Sequence, residues 1–359
     1  MDIFIRTNSG GTPLSFSNLL MSITIANWTT EDGSDARKSL SDLVTEVFGI
    51  GKPGFMISED FILKTCLVLF NDNIKFNVKN FDSSTVSVFS TNWKRIKECI
   101  LQSFRLLEVW GFNNDSLRAK NAVIPIIYYV YWNNIEGSLL KKTEHLKCKE
   151  NMRKWLCIAL LKGVFGGQTD TILTKIRNVL KNHSGDLFPL DDIINAFKGQ
   201  DRNFSFDDDF IKNILRTQKN SSACYPILSL LYSHLSFEND RYHMDHLHPA
   251  ISFSKERLIE FFGSEDKIPS EYFTNPEYWN SVVNLQLLNS GLNESKNDTP
   301  LSDWIKNNHI NIETQLIPSG TSYDFKDFVA FYDERMKLLE GRLKKITESQ
   351  TQDNQEFLS

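Results

Sequence analysis

Three short pieces toward the C-terminal end constrain this chain more than any other feature. The first reads Tyr-His-Met-Asp-His-Leu-His-Pro from Tyr242 to Pro249, the second opens Asn-Leu-Gln-Leu-Leu at Asn284, and the third runs from Asn293 to Lys296 as Asn-Glu-Ser-Lys. Together they carry the groups that hydrolysis of a phosphodiester needs. Asp245 and Asn293 are hard oxygen donors, which suits Mg²⁺, with Mn²⁺ able to substitute. Such an ion keeps several waters, takes one or two protein oxygens, and acts as a Lewis acid on phosphoryl and leaving oxygens. His246, at an ordinary imidazole pKa, can take a proton from an attacking water. Asn284 can tie the loop between the pieces, and Lys296 would face a phosphate. Neighbouring strand residues point to opposite faces, so Asp245 and His246 meet at one ion only if a strand ends or bends between them and Pro249.

The flanking residues predict the rest of the unit. Residues 241–247 form a first strand and 282–288 a short buried second strand. A helix opens at Ser290 or Asn293 and runs through Trp304, with its N-terminal amides and Lys296 toward an anion. Strand, strand and helix around these residues resemble the ββα-metal layout of HNH nucleases. In that family the second-motif asparagine stands nine positions before the last metal-binding asparagine, the interval between Asn284 and Asn293. The resemblance implies that Asp245 and Asn293 hold Mg²⁺, that His246 is the general base, that Asn284 orders the loop and that Lys296 contacts phosphate. His243 and His248 flank the pair as metal ligands or substrate contacts, or as packing or groups behind the metal ligands; the latter pair of roles is the reading for His248, and His243 lines the site.

Between His246 and Asn284 lies a longer insertion than compact HNH modules carry, with a predicted helix over 254–262 and then Tyr272, Phe273, Tyr278 and Trp279. This layout, and the segment Phe325-Lys-Asp-Phe-Val-Ala-Phe-Tyr-Asp-Glu-Arg335 leading into a long helix, resemble the C-terminal nuclease domain of GmrSD-type restriction proteins. At the other end, Phe4-Ile-Arg-Thr-Asn-Ser-Gly-Gly-Thr-Pro-Leu14 resembles a segment of the ParB-like control domain of that family. There an Asp-Gly-Gln-Gln-Arg motif tied to nucleotide use precedes the segment; this sequence has none. The expectation is a chain that starts in mid-domain, as a shortened form, as a split gene with a separate chain supplying the missing ParB-like half, or as a decayed copy. The resemblance implies DNA as substrate, foreign or modified, in prokaryotic defence. The alternatives are a catalytically silent DNA-binding or interaction subunit, and an enzyme acting on RNA, which ranks lower because no RNA-recognition module is present. The Gly10-Gly11 pair reads as a turn ahead of a helix capped by Ser15 or Ser17 rather than as a phosphate cradle.

Composition narrows the setting. Five cysteines are scattered without a Cys-x-x-Cys pair, which excludes a zinc-knuckle motif and fits a reducing cytoplasm. No apolar run approaches the roughly 18 residues that span a bilayer, and no secretory signal is visible, so the expected location is cytoplasmic, with no membrane partner. A net charge of −5 leaves DNA binding to local patches. One is Lys141, Lys142, Lys147, Lys149, Arg153 and Lys154; the other is Arg335, Lys337, Arg342, Lys344 and Lys345. Each reads equally well as a solvated helix face. Asp207-Asp-Asp209 reads as a loop or helix cap, since consecutive carboxylates on a helix cannot face one point.

Elsewhere the apolar spacing predicts helices over 13–28, 35–48, 59–70, 92–110, 122–131, 149–161, 169–182, 190–196, 207–217, 225–234 and 324–347. The 59–70 helix, apolar nearly all round, is expected to be buried. The fold class is therefore mainly α with a small α+β unit: a helical bundle body plus a C-terminal ββα-metal motif. The expected divisions are 1–134, the helical remainder of a control domain; 135–236, a helical body; 237–309, the nuclease core; 310–348, a helical segment packing on the body; and a disordered tail over 349–359.

Overall fold

The computed structural model of the chain describes residues 16–28, 33, 35–77 and 80–352. The segment Phe4–Leu14, with its Gly10-Gly11 turn, lies outside the described residues. By contact the chain divides into two compact units. Unit 1 takes the described residues up to Glu108 with Ala119–Met152 and Val164–Pro189; unit 2 takes Val109–Arg118, Arg153–Gly163 and everything from Leu190. The expected boundary near residue 236 lies inside unit 2.

Unit 1 is helical. Its elements are α1 (Phe16–Asn27), α2 (Ala36–Phe48), α3 (Glu59–Phe70), α4 (Ser83–Thr91), α5 (Trp93–Val109), α6 (Ile124–Trp132), the first part of α7 (Leu146–Leu161) and α8 (Thr169–Asn182). Three helices start on a capping side chain. Asp35 accepts from the Lys38 amide at 2.8 Å, Ser58 from Phe61 at 3.2 Å and Asp82 from Thr85 at 2.8 Å, each relieving a first-turn N–H. The expected buried helix is α3, which hides every residue from Phe61 to Leu69 and packs on α2, α4, α6 and α8. Helix α4 was not expected; its run of Ser and Thr has low helix propensity, and the Asp82 cap with burial of Val86 and Phe89 compensates.

Unit 2 adds α9 (Leu190–Ala196), α10 (Asp208–Leu215), α11 (Cys224–Leu231), β1 (Tyr242–His246), α12 (Lys255–Phe262), α13 (Pro276–Trp279), β2 (Leu285–Asn289), α14 (Ser290–Lys296), α15 (Leu301–Asn307) and α16 (Phe328–Gln352). Asp207 caps α10, accepting from Phe210 N at 2.8 Å, and Asp208 pairs with Lys344 at 2.7 Å, so this acidic run is a cap as read. Strands β1 and β2 are antiparallel, pairing Tyr242 with Asn289 and His246 with Leu285. Helix α16 packs on α10 and α11, and α11 packs on β2. It continues to Gln352, past the point where a disordered tail was expected, because extending an existing helix through Glu and Gln costs little.

One side chain locks this unit. Arg335 of α16 is fully buried and donates to the carbonyls of Leu316 at 2.9 Å, Leu285 at 2.9 Å and Val283, and to the Tyr232 hydroxyl at 3.1 Å. It thereby fixes the entry into β2. The basic cluster that begins at Arg335 is accordingly not one solvated face. Arg342 donates to Leu231 O at 2.6 Å, Lys337 pairs with Glu334 at 2.8 Å and Lys344 with Asp208. The other cluster is interrupted in the same way, since Lys149 and Arg153 are buried and Arg153 bonds Ser229 Oγ at 2.9 Å. Among the described residues no helix is long and apolar enough to cross a membrane.

Candidate functional site

Strand alternation sorts the site residues. His243 and Asp245 share one face of the hairpin with Leu288 and Gln286; Tyr242, Met244 and His246 share the other with Asn289, Leu287 and Leu285. Strand β1 ends at His246, and the next amide, Leu247 N, donates to Asn284 O at 2.8 Å, outside the strand ladder. The strand thus ends at His246, with Asp245 and His246 still on opposite faces of it.

Asn284 ties this corner. Its Oδ1 accepts from His248 N at 3.0 Å, and its Nδ2 donates to the carbonyls of His248 at 3.0 Å and Trp279 at 2.8 Å. All three bonds are buried or nearly so, and they join the end of β1 to the turn before β2. Loop ordering was the role read for this residue.

Asp245 faces α14. Its Oδ2 lies 3.1 Å from Lys296 Nζ and accepts from Gln286 Nε2 at 3.4 Å. Lys296 is 0 % exposed and also donates to the His246 carbonyl at 2.6 Å, with the Trp304 ring 5.7 Å from its ammonium. Burial lowers the Lys296 pKa, and the Asp245 carboxylate opposes that shift. The position of Lys296 differs from expectation. Helix α14 is capped by Asn289 and stops at Lys296, so the lysine sits in the last turn rather than the first. Asn297 takes a positive φ of 40° and Pro300 follows, which breaks the helix before the separate α15 that carries Trp304. Here the ammonium holds Asp245 and the strand end.

Asn293 lies one turn before Lys296 on α14, on the same side of the helix, and is half-buried. Among the described residues neither its side-chain amide nor Asp245 Oδ1 makes a hydrogen bond, and Asp245 is 21 % exposed. A carboxylate oxygen and an amide oxygen, both unspent, are donors of the hard kind that a hydrated Mg²⁺ takes. Among the described residues no three His, Cys, Asp or Glu side chains gather as a metal-binding cluster. The residues present fit an oxygen-bound, partly hydrated ion.

His246 turns the other way. Its Nε2 lies 2.9 Å from Asn280 Oδ1. A ring nitrogen bonded to a carbonyl oxygen carries the proton, which leaves Nδ1 with the lone pair a base needs. Burial first, and the charge of Lys219 second, push its pKa down to about 4, so the ring is neutral at physiological pH. Asn280 is held in turn, its carbonyl accepting from Lys219 N at 2.9 Å beside the Gln218–Ser281 bridge. His243 is exposed and pairs with Ser290 Oγ at 3.1 Å, fastening β1 to the start of α14. His248 is buried against the rings of Phe325, Phe328 and Phe331, with its pKa pushed down by burial to about 3.

Sequence reasoning missed Asn280, Gln286 and Lys219. Gln286 had a signal, a polar residue in an apolar strand facing Asp245 across the hairpin. Asn280 and Lys219 had none, because the contact between residues 217–219 and 280–282 is set by tertiary structure alone. Neither protein-family models nor curated proteins give a match to this chain.

Proposed function

We propose that the chain is a metal-dependent HNH-type endonuclease that hydrolyses DNA phosphodiesters. The observation that carries this reading is the corner at the end of β1. There Asp245, ordered by a buried lysine, keeps one carboxylate oxygen free, and His246, ordered by Asn280, keeps Nδ1 free. Asp245 and Asn293 would hold Mg²⁺ or Mn²⁺, which supplies Lewis-acid stabilisation of the phosphoryl and leaving oxygens when bound. His246 would take the proton of the attacking water at Nδ1; burial and the charge of Lys219 oppose the resulting imidazolium, and the Asn280 contact and Asp245 charge offset only part of that. Asn284 keeps the strand end and the turn before β2 in register. Lys296 is a positioning residue for Asp245. Lys219, half-buried and carrying a charge felt by both His246 and Lys296, would be the cation that meets a substrate phosphate.

The motif resemblance to GmrSD-type restriction proteins supports foreign or modified DNA as the target and a ParB-like partner half as its control. The burial of His246, at 7 % exposure, favours a second reading in which the corner is kept as an interaction module that does not cut. One experiment separates the two. Supercoiled plasmid, unmodified and modified, is incubated with Mg²⁺, Mn²⁺ or EDTA and either wild type or His246→Ala. The nuclease reading expects nicked product that needs the metal and falls by about 10²- to 10⁴-fold in the variant, the usual worth of a general base. Binding without turnover on any plasmid would leave the interaction module.

A further inference from the structure

A cavity of about 580 Å³ opens beside the proposed reaction centre, with Ile251, Phe261, Phe325, Arg257, Asp298 and His248 in its wall. We propose that it takes one unstacked nucleobase of the strand being cut, with preference for a base that carries an exocyclic amino group. The inference rests on the nuclease reading, because it needs a strand passing the end of β1.

The cavity is built onto the site. His248 follows His246 by two residues and its backbone is held by Asn284; Asp298 follows Lys296 by two, and its charge reaches that ammonium. Its size lies within the range of about 300–1,000 Å³ that encloses small planar ligands. Its wall carries apolar and aromatic side chains, Ile251, Phe261 and Phe325, on which a ring could stack. Unit 2 leaves three large apolar side chains exposed among the described residues, and two of them, Phe261 at 53 % and Ile251 at 48 %, line this cavity. Exposed apolar surface gathered at one concavity marks a binding site more often than chance does.

Charge selects the ligand. Arg257 is tied to Glu260 at 2.9 Å within the same wall, while Asp298 accepts no hydrogen bond among the described residues. The wall is therefore net negative and repels a phosphate, but it accepts from N–H groups. Carboxylates read the exocyclic amine of cytosine in this way, and a base lacking an amine offers less. Bases stack on aromatic side chains with useful strength whatever their identity, so Phe261 and Phe325 supply affinity and Asp298 supplies the preference.

The test uses DNA oligonucleotides with 2-aminopurine at successive positions, bound to the full chain in EDTA, so that the readout does not depend on cutting. The expected result is an emission change confined to one position relative to the cut. It should be lost in Phe261→Ser and Ile251→Ser, whose exposed side chains tolerate replacement, with binding weakened by about tenfold. Asp298→Asn should reduce discrimination between cytosine and thymine at that position. Equal emission at every position, unchanged by these variants, would overturn the proposal. So would saturation of the cavity by free cytidine with no positional signal in the strand, which would make the ligand a free nucleoside. If wild type fails to cut with any metal, the nuclease reading fails on that arm alone, whatever the emission shows.

Discussion

In unit 1 the buried hydroxyls of Thr24, Thr65 and Ser103 each bond the carbonyl four residues back on their own helix. In unit 2 the buried polar groups reach far along the chain. Arg335 reaches Val283, Leu285 and Leu316, Asn284 reaches His248, and Lys296 reaches His246 and Asp245. A back-bonded hydroxyl needs only the helix it stands on, so it specifies nothing about the fold. A group satisfied across 19 to 52 residues is satisfied in one arrangement only and is costly in any other. Unit 1 has long-range ties too: the Lys64–Asp170 pair between α3 and α8 and the Arg177 bond to Asn71 O both span 106 residues and fasten α8, so the contrast lies in the buried hydroxyls and in how many ties meet at one corner. The contrast teaches where geometry has been fixed at the expense of simple apolar packing, and in unit 2 that place is the corner between β1, β2 and α14.

Substitutions sharpen this contrast in descending order of effect. Arg335→Ala strands three carbonyls and the Tyr232 hydroxyl in the interior and should cost about 4 kcal/mol in urea unfolding, the scale for removing one partner of a buried charged contact. A loss below about 1 kcal/mol would mean that water or rearrangement replaces the arginine easily. Asn284→Ala removes three bonds at the corner and should cost about 2 kcal/mol while loosening protection of the β1 amides in hydrogen exchange. Thr65→Val in unit 1, the matched control, should cost only about 0.5 kcal/mol, since the Phe61 carbonyl keeps its helical bond.

The same corner gives unit 2 a pH signature. His246 and His248 have folded pKa values near 4 and 3, below the 6.5 of an unfolded histidine. Below about pH 6.5 the unfolded chain gains protons that the folded chain refuses, so stability is full above that pH and is lost as pH falls toward the folded values. Each histidine adds up to about 1.4 kcal/mol per pH unit to that slope. His248→Phe, which suits the surrounding Phe325, Phe328 and Phe331 rings, should remove its share between pH 6 and pH 4 in thermal melts. An unchanged slope would show that the ring is not held neutral.

Regular elements were legible wherever apolar spacing alone decides them. Helices α3, α8 and α9 run as predicted from residues 59–70, 169–182 and 190–196. The hairpin was legible from its chemistry rather than its propensity, because Asp245, His246 and Asn284 imply a strand end and a tied turn. Helix α14 was read as too long because the break at Asn297 is a backbone conformation that a glycine would have announced and an asparagine does not. Arg335 was read as surface charge, although it occupies the α16 stripe between buried Tyr332 and buried Leu339; a lone arginine in an apolar stripe is the signal for a buried clamp. Asn280 and Lys219 were illegible, since nothing local links them to His246.

The most direct test of the site is chemical rescue. Single-turnover nicking of plasmid with Mn²⁺ is measured for wild type and for His246→Gly, with and without added imidazole. Loss of nicking in the variant and its return with imidazole, only when metal is present, is the expected result, because a free base can enter the space the ring vacates. Metal-dependent nicking by His246→Gly at the wild-type rate, or none by the folded wild type, would contradict the assignment of this corner as a reaction centre.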